Sequence, residues 1–153
     1  MKKIILALLL ISSITTFSQE VKWLNSYEEA AKISKKTNKP ILANFTGSDW
    51  CRWCKVLDKE VFSTEEFKTW SSENVILLEL DFPKKKKLPQ ALQLQNYTLQ
   101  KAFGVRGYPT IIVFKPGKGD DPKKDMVELG RTGYTKGGSE KWIASIAPFL
   151  PKQ

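Results

Sequence analysis

The sequence contains no histidine, and its 153 residues include only two cysteines. Without histidine the chain cannot form a Ser-His-Asp or Cys-His catalytic pair, or a histidine-based zinc or copper site. Two cysteines cannot close a structural zinc site within one chain, because such a site takes four ligands. Covalent haem attachment is also excluded, because Lys55 stands where the C-x-x-C-H pattern needs histidine. We therefore expect no metal site and no cofactor.

Long hydrophobic runs are scarce as well. The apolar run at residues 4–11 is too short to span a bilayer as a helix. Two lysines precede it and small polar residues follow it, with Thr16 and Ser18 at positions −3 and −1 of a cleavage site after Ser18. This pattern predicts a secretory signal peptide over residues 1–18 and a periplasmic or secreted domain over residues 19–153. A retained membrane anchor is the disfavoured alternative, so we expect no stable membrane insertion after cleavage.

The formal net charge of the chain is +9 at pH 7. Export and the absence of any nucleic-acid-binding motif argue against a nucleic-acid partner. The lysines are scattered among acidic residues, which is typical of a solvated cationic surface that would also steer acidic partners. The run Lys84–Lys87 lies between two prolines, and we interpret it as a solvated connection rather than a partner site.

Both cysteines stand in one motif, Trp50-Cys51-Arg52-Trp53-Cys54-Lys55. If a helix begins there, the spacing places the two sulfurs one turn apart on the same face, close enough to bridge. A thiol at a helix start faces unpaired backbone N–H groups and the positive end of the helix dipole, so its thiolate is favoured. Arg52 and Lys55 should favour the thiolate further. The motif therefore predicts a reversible dithiol/disulfide centre that exchanges electrons with other disulfides.

Helices and strands alternate along the rest of the chain. The predicted elements, in order, are a helix from the Ser26 capping box to Thr37, a buried strand at 41–45, the cysteine helix capped by Ser48 or Asp49, a helix from a Ser63 capping box, a strand at 75–80, a helix at 97–103, a strand at 110–114, an edge strand at 126–129 and a final helix capped by Ser139. This order predicts one α/β domain, with a parallel sheet core, helices on both faces, and a terminal hairpin and helix that make the sheet mixed.

Gly107-Tyr108-Pro109-Thr110 directly precedes the third predicted strand. A proline there cannot donate to a strand ladder and belongs at a strand start or turn. The order of elements, the Trp-Cys-x-x-Cys-Lys motif at a strand-to-helix junction, and this proline about fifty residues later together resemble the thioredoxin superfamily. The resemblance covers about Trp23 to Leu150 and is strongest to the exported bacterial branch that includes the periplasmic C-terminal domain of the disulfide reductase DsbD. It implies a thioredoxin-like fold, in which a central mixed β-sheet is flanked by helices on both faces.

The resemblance also implies roles for five residues. Cys51 would be the exposed nucleophile, and Cys54 would resolve the mixed disulfide. Pro109 would be cis beside them, and the Tyr108 backbone would pair with a substrate peptide as an extra strand. Trp50 matches the tryptophan that the family places beside the nucleophile.

One departure from the family concerns a buried proton acceptor. Thioredoxins usually bury an aspartate in the strand before the active site, where it assists deprotonation of the second cysteine, and Asn44 falls at that position here. Asparagine cannot take a proton at ordinary pH. The proton of Cys54 must then go to water or to another carboxylate, and Asp49, Glu79 and Asp81 all remain candidates.

A second departure is the dipeptide Arg52-Trp53 between the cysteines. Strong oxidants and isomerases of this superfamily typically carry histidine there, so its absence favours a reductase or an electron carrier. Trp53 is equally compatible with internal packing and with a partner surface. We predict a monomeric, exported thiol-disulfide oxidoreductase that acts on exported disulfide-containing proteins and is recycled by a redox partner.

Two other functions compete with this prediction. In the first, the fold is a non-catalytic peptide-binding module in which Cys51–Cys54 is a static brace. A bridge across two residues constrains the unfolded chain least, so it is a poor brace. The second, a thiol peroxidase, is disfavoured because the Trp-Cys-x-x-Cys setting does not resemble that branch.

Overall fold

The computed structural model describes residues 21–119 and 124–151. The predicted signal peptide at residues 1–18 lies outside these residues. Within the described ranges, no helix is both long enough and apolar enough to cross a membrane. The elements, in chain order, are α1 (Tyr27–Thr37), β1 (Ile41–Thr46), α2 (Arg52–Leu57), a π-helical turn (Asp58–Phe62), α3 (Glu65–Asn74), β2 (Ile76–Asp81), α4 (Gln90–Ala102), β3 (Thr110–Lys115), β4 (Val127–Thr132), α5 (Gly138–Ile146) and a 3₁₀ turn (Ala147–Phe149).

The four strands form one mixed sheet in the order β2-β1-β3-β4. β1 and β2 are parallel, whereas β3 is antiparallel to both β1 and β4. The predicted mixed sheet is therefore confirmed, but its parallel part is a single pair rather than a parallel core. The reason is that β3 begins opposite the end of β1, where Thr110 pairs with Phe45, and so runs back along it.

Both faces of β1 are buried, which explains its nearly continuous apolar sequence. Alternate side chains point to opposite faces of a strand. Ile41, Ala43 and Phe45 pack in one core with side chains of α1 and α4. Leu42 packs in a second core with side chains of α2, α3 and α5. The predicted helix layers on both faces are confirmed. β1 is an inner strand of the sheet, and the loop at its end carries the first cysteine.

Three helix starts test the predicted caps. Ser26 caps α1 as expected, since its side chain accepts the N–H of Glu29. The second cap is wrong by one residue, because Thr64 rather than Ser63 accepts a backbone N–H at the start of α3. The Ser139 cap is also wrong. α5 begins at Gly138 without a side-chain cap, and the positive φ of Gly137 and Gly138 turns the chain into the helix there.

The largest error in element bounds is α4. The sequence predicts a helix at 97–103, and the structure extends it back to Gln90. The first half lacks an apolar stripe, since Leu94 and Tyr97 are exposed. Pro89 starts the helix, and Gly104, at φ +62°, ends it as expected. The predicted strands lie close to the observed ones, with the edge strand extending three residues further, to Thr132.

Candidate active site

The two cysteines lie where the loop after β1 enters α2. Their sulfurs form a disulfide, with the Cα atoms 5.3 Å apart. Cys51 itself caps α2, because its Sγ accepts the backbone N–H of Cys54 at 3.2 Å. The expectation that Ser48 or Asp49 would cap this helix is wrong. The Ser48 hydroxyl donates to Asp81 at the end of β2, and the Asp49 carboxylate accepts backbone N–H groups of the segment that follows β2. The predicted helix start at the motif is confirmed.

The two cysteines differ in the hydrogen bonding of their sulfurs but not in their residue exposure. Cys51 Sγ receives the amide of Cys54, which is one of the unpaired donors at a helix start. Negative charge is therefore favoured on Cys51 when the bridge is open. Both cysteines are 5% exposed, so the greater exposure expected for Cys51 is not observed in the oxidised pair.

Trp50 forms one wall of the site, and the loop is shaped around it. Its Nε1 donates to the carbonyl of Phe82 at 2.8 Å, and its ring meets Tyr108 edge-on at 5.7 Å. The ammonium of Lys84 lies 3.9 Å from the centre of the same ring, within cation–π range. A Cβ on Gly47 would lie 2.5 Å from the indole, so the loop needs glycine there. Trp50 is thus held on three sides beside Cys51.

The Tyr108–Pro109 peptide bond is cis, as the family resemblance implies. It precedes β3, and the Tyr108 ring places this segment against Trp50. Burial raises the pKa of Tyr108, whose hydroxyl accepts a hydrogen bond from Gln100 at 2.6 Å. The backbone of Gly133 also approaches closely, since a Cβ there would lie 3.3 Å from the Pro109 carbonyl oxygen.

Trp53 both packs and faces solvent. Its ring stacks on Tyr134 at 5.3 Å, and the Arg52 guanidinium lies 5.7 Å from the ring centre. The side chain is nevertheless 53% exposed. Tyr134 donates its hydroxyl hydrogen to Glu60. No local sequence signal marks Tyr134, because it follows the edge strand in an irregular segment and only the folded chain brings it to Trp53.

Two of the three candidate proton acceptors are engaged in fixing loops. Asp49 accepts the backbone N–H groups of Lys84, Lys85 and Lys86 at 3.0, 2.7 and 3.1 Å. These bonds lower the pKa of Asp49, and the bond from the Lys84 N–H has the largest effect on it. Asp81 is buried, accepts both the N–H and the hydroxyl of Ser48, and pairs with the Lys86 ammonium at 3.0 Å.

The third candidate, Glu79, lies beside Asn44. The two residues are register partners in the parallel pair β1–β2, and neighbouring strands are about 4.8 Å apart. Both lie on the sheet face that α2 covers, since Leu42 and Leu77, two residues before each, pack in the same core as Leu57. Burial, followed by the charge of Asp81, raises the pKa of Glu79.

Asn44 has an unusual environment. It is 7% exposed, and its Oδ1 is the buried side-chain oxygen or nitrogen that has no hydrogen-bond partner within the described residues. An unpaired buried acceptor costs free energy, so such atoms are uncommon. A protonated carboxyl or a thiol could donate to it. Among residues 21–119 and 124–151, the face beneath the cysteine helix therefore holds one acceptor without a hydrogen-bond partner and one carboxylate without an ion pair.

Comparison with known proteins places these features in a family. The thioredoxin-like family matches residues 22–116. The chain is 32% identical to the disulfide bond reductase DsbH of Chlamydia pneumoniae over 130 residues, which cover 85% of this chain and 73% of that protein. The solved structure of a DsbH oxidoreductase superimposes with a TM-score of 0.76 at 30% identity, covering 87% of this chain and 86% of the other.

A third similarity involves a much larger protein. The thiol:disulfide interchange protein DsbD of Campylobacter jejuni is 30% identical over 96 residues, which cover 63% of this chain but only 15% of DsbD. The match is therefore to one part of that protein. The predicted resemblance and the predicted fold are both confirmed by these comparisons.

Proposed function

The chain belongs to the thioredoxin-like family, and from this premise we propose that it is a thiol-disulfide oxidoreductase working through Cys51 and Cys54. The observation that carries the proposal is the hydrogen bond from the Cys54 amide to Cys51 Sγ at the first turn of α2. This donor stabilises a thiolate at Cys51 in the reduced protein. The relative named a disulfide bond reductase matches most of the chain, which supports the same chemistry.

In the proposed reaction the reduced protein transfers two electrons to a substrate disulfide. The Cys51 thiolate attacks one substrate sulfur, which forms a mixed disulfide and releases the other sulfur as a thiolate. Cys54 then loses its proton and attacks Cys51 Sγ, which releases the second substrate thiolate and leaves the Cys51–Cys54 disulfide. A dithiol donor reduces that disulfide by the same two exchanges in reverse.

We assign the proton of Cys54 to Glu79. Asp49 and Asp81 each hold several donors, so taking a proton would break bonds that fix the loops. Glu79 has a raised pKa, and within the described residues its carboxylate forms no ion pair. Asn44 Oδ1, next to it, offers an acceptor for the thiol or for the protonated acid. This arrangement replaces the buried aspartate of the family.

The proposed direction is reduction or electron relay in an exported compartment. Absence of histidine between the cysteines supports this direction, and the signal-peptide pattern at residues 1–18 supports export to the periplasm or the medium. The proposed partners are exported disulfide-containing proteins and a donor that restores the dithiol. We propose that Trp50, Tyr108 and Pro109 line the surface on which a substrate peptide lies.

The proposal is tested with two cysteine variants in an insulin reduction assay. Cys51→Ser should abolish reduction, because no nucleophile remains. Cys54→Ser should accumulate mixed disulfides with its partners, because the resolving sulfur is absent. Full activity of both variants would contradict the proposal, and partner trapping with Cys54→Ser in the native compartment would identify the substrates and the working direction.

The low exposure of both cysteine residues favours the alternative, a peptide-binding module with a static brace. Alkylation separates the two functions. In the fully reduced protein, a catalytic Cys51 should react with iodoacetamide at pH 7 faster than free cysteine does, whereas a buried structural thiol should react more slowly.

A further inference from the structure

The lysine loop, residues Lys84–Lys87, is attached to the redox site and does not simply bridge two elements. Asp49, two residues before Cys51, accepts three consecutive backbone N–H groups of this loop. The interpretation of the run as a solvated connection is therefore incomplete. Its side chains are exposed, but its backbone has a fixed position next to the nucleophile.

Two of the four lysines have partners at the site. The Lys84 ammonium lies over the Trp50 ring, and Lys86 pairs with Asp81. Among the described residues, no ion pair involves Lys85 or Lys87. Both are exposed, so their charges are available to a partner molecule.

The positive charge continues along the cysteine helix. Arg52 and Lys55 are exposed, and the Lys55 ammonium donates to the Asp49 carbonyl. The carboxylates of Asp49 and Asp81 are already engaged by the loop. A cavity of about 190 Å³ lies beside the loop, and its lining includes Phe82, Tyr97, the three lysines Lys84, Lys86 and Lys87, and the carboxylate of Asp81. Because Asp81 is paired with Lys86, the lining keeps an excess of positive charge from Lys84 and Lys87, which suits a carboxylate side chain.

We propose that the lysine loop is a docking surface for an acidic polypeptide segment next to the disulfide of the partner protein. This inference rests on the proposed function and names the substrate class of the same site. A rim of like charges raises the rate of association with an oppositely charged partner, and the effect falls as ionic strength rises. The loop thus raises the association rate of acidic partners over that of other partners, while the cysteines carry out the disulfide exchange.

The test uses two peptides with the same internal disulfide, one flanked by aspartate and glutamate and the other by lysine. The second-order rate constant for reduction by the reduced protein is measured by stopped flow in low and high salt. We expect the acidic peptide to react about tenfold faster in low salt, at the lower end of the range for steered association, and the difference to shrink in high salt.

A charge-reversal variant of the loop, Lys85→Glu with Lys87→Glu, should abolish or invert this preference. The matched control is Lys32→Glu with Lys36→Glu on α1, whose end precedes the start of β1 and so lies at the opposite end of the sheet from the cysteines. The control carries the same change in net charge and should keep the preference.

Each outcome decides the inference. Equal rates for both peptides, or an equal loss of preference in both variants, would overturn the docking surface and leave the redox function intact. If the reduced protein reacts with neither peptide, the proposed function fails and the docking surface fails with it.

Discussion

Two pairs of polar side chains lie near the cysteines, and they differ in how fully they are bonded. Asp49 and Asp81, which fix the loop around the site, accept five hydrogen bonds from backbone and hydroxyl groups, and Asp81 adds an ion pair. Asn44 and Glu79, beneath α2, have an unpaired buried oxygen and a carboxylate with a raised pKa. Fully bonded carboxylates hold a loop in place, whereas a carboxylate without a fixed partner, such as Glu79, is free to take up and release a proton beside the hydrogen-bond acceptor of Asn44.

The largest effect that would test this comparison is on the resolution step. Glu79→Gln should slow the release of the second substrate thiol about 100-fold, the lower range for loss of a positioned acid or base. Formation of the mixed disulfide should be unchanged, because that step uses only Cys51. Single-turnover kinetics with a chromogenic disulfide separate the two steps.

The control for this prediction is Glu73→Gln, an exposed change on α3 that should leave both steps unaltered. The double variant Asn44→Asp with Glu79→Gln should release the second substrate thiol about tenfold faster than Glu79→Gln alone, because Asn44→Asp returns a carboxylate to the same face. If Glu79→Gln resolves the mixed disulfide at the wild-type rate, the proton of Cys54 does not go to Glu79. The pair Asn44 and Glu79 would then not differ in function from the pair Asp49 and Asp81.

The next effect is on the free energy of unfolding and concerns Asp81, one of the two carboxylates that fix the loop. Asp81→Ala removes the acceptor of Ser48 and the partner of Lys86, so the free energy of unfolding should fall by about 2 kcal/mol. Urea unfolding followed by circular dichroism measures this change. Glu79→Gln should lower the free energy of unfolding by less than Asp81→Ala does, because within the described residues no ion pair of Glu79 is lost. A larger loss for Glu79→Gln than for Asp81→Ala would reverse the comparison.

The smallest effect is the pH dependence of the melting temperature, which should have opposite signs for the two pairs. The pKa of Asp49 is lowered from 3.8, so its contribution is present above that value and is lost as pH falls through the native pKa. The pKa of Glu79 is raised from 4.5, so the folded state favours its protonated form, and stability is lost as pH rises through the native pKa.

Melting curves at pH 3 and pH 7 check this contrast. The melting temperature of the wild type should be higher than that of Asp49→Asn at pH 7, and the difference should be smaller at pH 3. The melting temperature of the wild type relative to that of Glu79→Gln should be higher at pH 3 than at pH 7. The same sign for both variants would show that the two carboxylates sit in equivalent surroundings.

Local sequence predicted the elements whose signals are local. The strands at 41–45 and 110–114 follow from apolar and β-branched runs, and the α1 start follows from the hydroxyl of Ser26. The front half of α4 was missed because helix formation there does not depend on an apolar stripe. The α5 start was placed at a serine, although two glycines with positive φ set it.

The site shows the same division. The structure brings Trp50 next to the Cys51–Cys54 pair and makes the Pro109 bond cis, and these placements could be predicted from the contiguous motif and from the family resemblance. The neighbours Tyr134 and Lys84 could not be identified, since each reaches the site through the fold. The pairing of Asn44 with Glu79 depends on strand register, and that register is fixed by the two cores rather than by either residue.

The glycine beneath the indole restricts how this loop can be altered. Any side chain at position 47 would occupy the volume that the Trp50 ring fills, so a substitution at position 47 requires a compensating substitution at position 50. A lineage or a mutant library that enlarges residue 47 has to shrink residue 50 first. Losing that tryptophan also removes the ring that Lys84 covers, so variation at one small residue would extend to the charge pattern at the mouth of the site.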